Sequence, residues 1–446
     1  MKEEINVKFI NMKENYYQIQ RQANELRRKE TYSDALPLYR QLWSTMPDLC
    51  SQWDGWGLAF CLKKCAYYHE ALDICRQVYK RYPDFKFNRD CYASVIFELE
   101  IKGKNPDDEK RFLKAAKAIV TLTRQDSPFS FFTATIFSVL GYLEKRNKYP
   151  AKEILEWTNL LQPELLSNEP FSFTDEKGRK RELASYFERY FTYRCKALFE
   201  LCRYDEAIAL CNHALGIISS FHYDNDIWLE RLIALSWYHR GDYQKSVDKL
   251  EQLVLRKPVW FMQHELALAY LKLENRHQAL LYMIKAALND GEWALKINLI
   301  TQMSDLLWND GNCEMARLHL EVVLLIRLRM EWGIHQPLQA QMTEREVSLP
   351  DIAHWHKCSF RLKKWWVHQQ NANSPKLQGK IIKILGEGHA GFIQSGNKSY
   401  FFKSCEFKAH LSKMQMYQQV NFTTTDSYDP AKKRATVIAI DIRILQ

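Results

Sequence analysis

Apolar positions follow two different rhythms along the chain. In most of the sequence they recur at intervals of three and four, as in LALAYLKLENRHQALLYMIKAAL (residues 266–288), which predicts amphipathic helices. From Gly379 they alternate in short runs instead, which predicts strands. These runs are GKIIKIL, AGFIQS, KSYFFK, QQVNFTT and RATVIAID. Five short strands within about 65 residues suit a small closed barrel. The pattern therefore predicts a mainly α protein, with a helical body followed by a five-stranded β-barrel.

The helical part contains an internal repeat. Five of the 13 prolines lie twelve residues after a small residue. The pairs are Ala35 with Pro47, Ala71 with Pro83, Ala116 with Pro128, Ala151 with Pro163, and Ser246 with Pro258. Proline stops a helix because it lacks an amide donor and restricts the residue before it. Since one helix pair cannot bury its own apolar face, we expect about eight pairs, between residues 12 and 330, to stack into a solenoid.

One segment carries the repeat most completely. Its signature residues are Trp53, Trp56, Gly57, Phe60, Ala71 and Pro83. This arrangement resembles the tetratricopeptide pattern. A small residue such as Gly57, Ala234 or Ala267 is expected where two helices approach most closely. The resemblance extends over residues 12–330 and implies a curved surface that binds a protein partner or a second copy of the chain.

Two stretches interrupt the repeats. Residues 101–111 (IKGKNPDDEKR) and 168–182 (NEPFSFTDEKGRKRE) are rich in charge and in turn-forming residues, which predicts loop insertions. Loops of this size on a repeat scaffold often take part in recognition, and they are also tolerated as plain surface insertions. Both interpretations stay open for these two stretches.

A short region separates the repeats from the strands. Residues 335–350 are polar and turn-prone, whereas residues 351–370 predict a further helix. Its aromatic side chains are expected to close the end of the solenoid rather than to stack on a base. They are Trp355, Phe360, Trp365 and Trp366. With residues 371–375 as a linker, the predicted domains are a solenoid (1–332), a capping helix and linker (333–377) and a barrel (378–446).

Composition indicates a soluble, cytoplasmic protein. The first residues lack a secretory signal pattern, and the longest aliphatic run, VVLLI at 322–326, is too short to cross a membrane. The 11 cysteines include no C-x-x-C pair, so neither a disulfide framework nor a zinc site is indicated. His354, His356 and Cys358 have metal-ligand chemistry. On a helix the middle residue points away from the other two, so no metal site is expected there.

Positive charge is concentrated near the C-terminus. The whole chain carries a net charge of +10. Residues 351–446 hold 15 Lys and Arg against 6 Asp and Glu, which leaves a net charge of only +1 for the preceding 350 residues. This asymmetry predicts a polyanion-binding module in the barrel region, with a solvated lysine-rich face as the alternative.

The sequence LGEGHAGF, at residues 385–392, contains the spacing of a phosphate-binding glycine loop in Gly386, Gly388 and Gly391. A protein kinase is excluded because only 55 residues follow Gly391, with neither an H-R-D nor a D-F-G motif. A dinucleotide-binding site is excluded because Gly391 leads into a predicted strand and not into a helix. We therefore expect a turn between two strands.

Residues 378–442 resemble the cold-shock domain, an OB-type barrel. The matching segments are GKI at 379–381, GFI at 391–393, YFFK at 400–403, and the later strands with Val420 and Ala435. Such domains stack bases on rings of adjacent strands while Lys and Arg hold the phosphates. The nucleic-acid-binding residues that the resemblance implies are Lys380, Lys383, His389, Phe392, Phe401, Phe402, Lys403, Lys432, Lys433 and Arg434.

Three positions depart from the cold-shock pattern. Lys383, Ala390 and Lys403 stand where the family has Trp, Phe and His. Fewer rings and more cations imply that binding depends less on stacking and more on charge, and hence is more sensitive to salt.

These observations lead to two hypotheses for function. The first is a non-enzymatic adaptor without a cofactor, whose repeats bind a protein and whose barrel binds single-stranded nucleic acid, with RNA placed ahead of DNA. The second is a protein-interaction scaffold with a purely structural barrel, similar in architecture to regulators of bacterial stress and defence systems. An enzyme is not expected, because the sequence contains no G-x-x-x-x-G-K, H-E-x-x-H or G-x-S-x-G motif.

Overall fold

The computed structural model describes residues 2–103, 108–372, 376–429 and 434–445. The chain forms two compact units, Met1–Asn225 and Asp226–Gln446. Among the described residues there are 18 α-helices and seven β-strands. None of the helices in these ranges combines the length and the apolar character that a membrane span requires.

Sixteen helices form eight consecutive pairs, which confirms the predicted tetratricopeptide-like solenoid. The first ten are α1 (Lys2–Arg28), α2 (Tyr32–Thr45), α3 (Gln52–Lys64), α4 (Tyr68–Arg81), α5 (Lys86–Ile96), α6 (Glu109–Leu122), α7 (Phe131–Leu143), α8 (Ala151–Thr158), α9 (Tyr186–Glu200) and α10 (Tyr204–Ile217). The next six are α11 (Asn225–Arg240), α12 (Tyr243–Arg256), α13 (Trp260–Lys272), α14 (Arg276–Leu288), α15 (Ile297–Asn309) and α16 (Cys313–Arg329).

Proline acts as the repeat pattern predicts. Helices α2, α4 and α12 each end two residues before a proline, at Pro47, Pro83 and Pro258. The residue between helix and proline has left the helical conformation in each case. The cause is the steric clash of the proline ring with the preceding residue, which disfavours helical backbone there.

The turn inside a pair has a recurring backbone conformation. In six of the eight pairs a residue with positive φ lies two positions before the second helix. These residues are Glu30, Ala66, Cys202, Gly241, Glu274 and Gly311, with φ between 58° and 89°. A left-handed residue closes the first helix and redirects the chain for the antiparallel return.

Small residues lie where helices approach closely. A side chain at Gly57 would place its Cβ within 2.6 Å of the Tyr39 ring. That ring is itself held by hydrogen bonds of its hydroxyl with Asn24 and Arg27. Ala234 and Ala267 are fully buried in their helices. The signature glycine of the repeat is therefore a packing requirement.

The middle pairs are irregular. Helix α5 continues as a π-helical turn, Phe97–Ile101, which ends on the first residue of the first predicted insertion. Residues 104–107 of this insertion lie outside the described ranges, and its last three residues belong to α6 instead of a loop. The second insertion was expected to be a loop and is instead an antiparallel hairpin of β1 (Phe171–Thr174) and β2 (Lys180–Leu183). The residues of both strands are all largely exposed, so no buried apolar face marked the strands in the sequence.

Two helices follow the last pair. The expectation of a turn-prone segment after residue 335 is wrong in part, because α17 (Gln336–Glu344) forms there with His335 as its N-cap. The predicted capping helix is α18 (Trp355–Ala372). Residues from α17 and α18 share one apolar core with α14, α15 and α16, so both helices pack against the last repeats.

Trp366 is the anchor of the capping helix. It is buried, stacks on Trp293 at 5.3 Å, and donates a hydrogen bond from Nε1 to Nε2 of His319. Burial lowers the pKa of His319 to about 4, which keeps the imidazole neutral and able to accept this bond. Trp355 packs against Trp293, and Trp365 meets the His319 ring edge-on. Phe360 is the exception to the predicted cap, since 71% of it is exposed.

The C-terminal strands form a closed five-stranded barrel, as predicted. They are β3 (Leu377–Leu385), β4 (Ala390–Ser395), β5 (Lys398–Lys403), β6 (Gln419–Asp429) and β7 (Arg434–Ile444). The order around the barrel is β3-β4-β5-β7-β6, and β3 closes it by pairing with β6. All pairs are antiparallel except β5 with β7. Ile381, Ile393, Phe402, Val420 and Phe422 fill its interior.

Candidate nucleic-acid interface

Two aromatic rings meet on the outer face of the barrel. Phe392 on β4 and Phe401 on β5 are direct cross-strand partners, and their ring centroids lie 5.5 Å apart in an edge-to-face arrangement. Both side chains are half-buried, whereas the neighbours on either side of Phe392, Gly391 and Ile393, are buried in the barrel. Alternation along β4 and β5 thus places the two predicted stacking rings side by side on one surface.

Lysines flank this pair of rings. Lys383 on β3 is the cross-strand partner of Phe392, beyond a bulge at Ile382, and its side chain is exposed. Lys403 is also exposed and lies two residues after Phe401 on β5, hence on the same face. Within the described part of the chain, neither lysine has a carboxylate partner within ion-pair distance. The surface therefore combines two rings with two cations that are free to bind an anion.

Lys380 extends the same face towards the start of β3. It pairs with Gln394, which lies two residues after Phe392 on β4. Cross-strand partners project to the same side of a sheet, so Lys380, Gln394 and Phe392 share the outer face. The Lys380 ammonium lies 4.9 Å from the centroid of the Tyr417 ring. Tyr417 was not among the predicted site residues, because it belongs to a segment without strand alternation or a recognisable motif.

Two of the predicted nucleic-acid-binding residues, Phe402 and His389, do not lie beside the two rings on the outer face. Phe402 was expected to bind nucleic acid, and this expectation is corrected, because its ring is fully buried in the barrel core and cannot reach a ligand. The reason is the period of two, which directs Phe402 inward when Phe401 points outward. His389 is exposed at the turn before β4. Its backbone bonds to Gly386 and Ser404 fix the turn and leave the imidazole accessible.

The remaining predicted basic residues, Lys432, Lys433 and Arg434, lie later in the chain, between β6 and the start of β7. Lys432 and Lys433 fall outside the described residues. The backbone of Arg434 begins β7 and pairs with Asp429 at the end of β6. These three positions stay predictions.

The three glycines of the LGEGHAGF stretch serve the turn and the barrel. Gly386 and Gly388 have φ of 52° and 93°, which most side chains disfavour. Gly391 has ordinary backbone angles, but a Cβ there would lie 2.6 Å from the Lys383 carbonyl oxygen and from the Phe402 ring. As predicted, the segment is a strand-to-strand turn.

The described residues contain no group of three His, Cys, Asp or Glu side chains arranged to hold a metal ion. Cys358, from the predicted cluster of possible ligands, has its Sγ 3.8 Å from the Glu321 carboxylate. Burial, and then the contact with Glu321, raise the pKa of the Cys358 thiol. The arrangement is that of a structural cysteine between α16 and α18.

Neither a family model nor a curated protein matches the sequence. Solved structures with similar folds include a human IFIT1 dimer with PPP-AAAA, at 12% identity and a TM-score of 0.36, covering 78% of this chain and 81% of that one. A tetratricopeptide repeat protein from Parabacteroides merdae has 11% identity and a TM-score of 0.28, covering 75% of this chain and 99% of that one. A Thermus thermophilus TPR protein has 12% identity and a TM-score of 0.21, covering 57% and 99%. Likeness at this level concerns fold alone. In fold, the chain is a tetratricopeptide-like helical solenoid followed by a closed five-stranded barrel.

Proposed function

We propose that the protein is a non-enzymatic adaptor. Its helical repeats bind a protein partner or a second copy of the chain, and its barrel binds single-stranded nucleic acid, RNA in preference to DNA. The observation that carries the proposal is the adjacent pair Phe392 and Phe401 on the outer face, flanked by the exposed Lys383 and Lys403. Rings of this kind accept stacked bases, and cations beside them hold the phosphates.

The connectivity of the barrel also supports this proposal. The third of its strands, β5, pairs in parallel with the fifth, β7, and the first, β3, closes the barrel with the fourth, β6. This is the strand order of OB-type barrels, which bind oligonucleotides on the face of their second and third strands. In this chain those strands are β4 and β5, which carry the two rings.

The proposal is tested by fluorescence anisotropy with labelled single-stranded RNA and with DNA of the same sequence. The variant Phe392→Leu/Phe401→Leu removes both rings but keeps apolar side chains against the barrel. We expect a loss of about 1–3 kcal/mol per ring, or about 5- to 150-fold in Kd for each. The control is Phe360→Ala, which removes an exposed ring elsewhere in the chain.

A structural barrel is the competing function, and the half-buried, edge-to-face contact of the two rings favours it. It predicts equal RNA binding, or none, for the wild type and the double variant. It also predicts a protein-like ratio of absorbance at 260 and 280 nm after purification. Retention of one stoichiometric protein by the full-length chain, without nucleic acid, would establish the scaffold function instead.

A further inference from the structure

Tyr417 lies two residues before the start of β6 and is anchored to β3. Its amide donates a hydrogen bond of 2.7 Å to the Ile381 carbonyl, and the Ile381 amide donates one of 3.0 Å to the Gln418 carbonyl. Ile381 is fully buried in the barrel core. The backbone of Tyr417 is therefore fixed to the rigid part of the barrel.

The conformation of Tyr417 is unfavourable for its own side chain. Its φ is 67°, in the left-handed region that glycine and asparagine adopt readily and a bulky aromatic residue does not. The ring gains little from burial, since 64% of the residue is exposed. The bonds to Ile381 therefore hold Tyr417 in a conformation that its own side chain does not favour.

The ring lies beside the face that carries Phe392 and Phe401. Lys380 shares this face because it pairs with Gln394, and Gln394 shares it with Phe392. The Lys380 ammonium is 4.9 Å from the Tyr417 centroid. Among the described side chains Lys380 has no ion pair, so its charge is available to a ligand at this position.

An aromatic ring has two faces, and the lysine contact uses one of them. The other can accept a planar base, while the same lysine neutralises the adjoining phosphate. We infer that Tyr417 is a third base-stacking position for single-stranded nucleic acid, with Lys380 as its phosphate contact. A bound strand then extends from Phe401 and Phe392 along β3 to Tyr417. This inference rests on the proposed function of the barrel.

The test compares two substitutions at this position in the full-length protein. Tyr417→Asn removes the ring and tolerates the left-handed backbone, whereas Tyr417→Trp keeps a ring. We expect Tyr417→Asn to raise the Kd for a labelled single-stranded RNA by about 5- to 150-fold, and Tyr417→Trp to bind within a few-fold of wild type. Thermal unfolding of both variants checks that the barrel is intact.

The outcomes separate this inference from the proposed function. If the wild type binds no single strand, both fail. If Phe392→Leu/Phe401→Leu weakens binding while Tyr417→Asn binds like wild type, the proposed function holds and the third stacking position is refuted. If both Tyr417 variants lose affinity equally with an intact fold, the hydroxyl rather than the ring is required, and stacking is refuted.

Discussion

At the scale of one residue, the packing of a repeat unit depends on the absence of a side chain at Gly57. A Cβ there would meet the ring of Tyr39, which is 1% exposed and hydrogen-bonded through its hydroxyl. The Tyr39 ring therefore cannot move far enough to make room for an added Cβ. We expect Gly57→Ala to lower the free energy of unfolding by about 1–3 kcal/mol, the usual cost of overpacking a core. Urea unfolding followed by circular dichroism measures this change.

Gly141 provides the matched control. It lies inside α7. Apart from its two chain neighbours and the nearby backbone of this helix, no atom lies within 4 Å of a Cβ built at Gly141. Gly141→Ala should raise the unfolding free energy by about 0.5–1 kcal/mol, because alanine has the higher helix propensity. If Gly57→Ala also raised the unfolding free energy, helix propensity rather than the Tyr39 contact would govern Gly57.

His319 gives the capping helix a pH dependence. It accepts a hydrogen bond from Trp366 only when neutral, and burial lowers its pKa from 6.5 to about 4. Between these values the unfolded chain binds the proton more readily than the folded chain. The stabilisation is therefore complete above pH 6.5 and is lost as the pH falls towards 4. A shift of this size corresponds to about 3 kcal/mol.

A variant isolates this effect from other titrating groups. We expect the difference in unfolding free energy between the wild type and His319→Gln to shrink by about 3 kcal/mol from pH 7 to pH 4. Chemical denaturation at several pH values measures it. A difference that does not change with pH would mean that the imidazole is not held neutral by its surroundings.

At the scale of elements, the recurring left-handed turn explains how successive helices reverse. Gly311 occupies this position between α15 and α16 with φ of 80°, and nothing lies within 4 Å of a Cβ placed there. Gly311→Ala should therefore cost about 1–2 kcal/mol from backbone conformation alone. Gly333→Ala, at an exposed glycine without positive φ and with equal space, should change stability little. Equal melting temperatures for both variants would contradict the conformational argument.

The sequence predicted those elements whose apolar pattern matches one buried face. All five barrel strands were anticipated because buried residues such as Ile381 and Ile393 alternate with neighbours that are at least partly exposed. The exposed hairpin of β1 and β2 has no such face, and α17 begins in a stretch whose polarity resembles a turn. Phe402 shows the limit within the site, since a run of three aromatic residues does not reveal which ring points inward.

The position of Tyr417 beside the site could not be predicted from the sequence. Its relation to the site depends on the bond to Ile381 and on the register of β3 with β4 and β6. Both are long-range features of barrel closure and leave no local pattern in the chain. The exposure of Lys383 and Lys403, by contrast, follows from the strand alternation around them, and their part in binding stays a prediction.

At the scale of the whole molecule, net charge is carried almost entirely by residues 351–446. If nucleic acid binds to the barrel face, the salt dependence of binding must come from lysines there. For single strands each phosphate contact contributes about 0.7 to the slope of log K against log salt concentration. We expect Lys383→Gln/Lys403→Gln to reduce the magnitude of this slope by about 1.4 and to weaken binding. Anisotropy titrations at several salt concentrations measure both quantities.

A charge-matched variant distinguishes contact from general attraction. Lys114 and Lys117 are exposed on α6, in the first unit, and Lys114→Gln/Lys117→Gln removes the same net charge. If Lys383 and Lys403 contact the phosphates directly, Lys114→Gln/Lys117→Gln should have the same salt slope as the wild type, because it loses no phosphate contact. Equal reductions in both double variants would mean that RNA responds to the total charge of the protein. No reduction in either would place the binding surface away from Lys383 and Lys403.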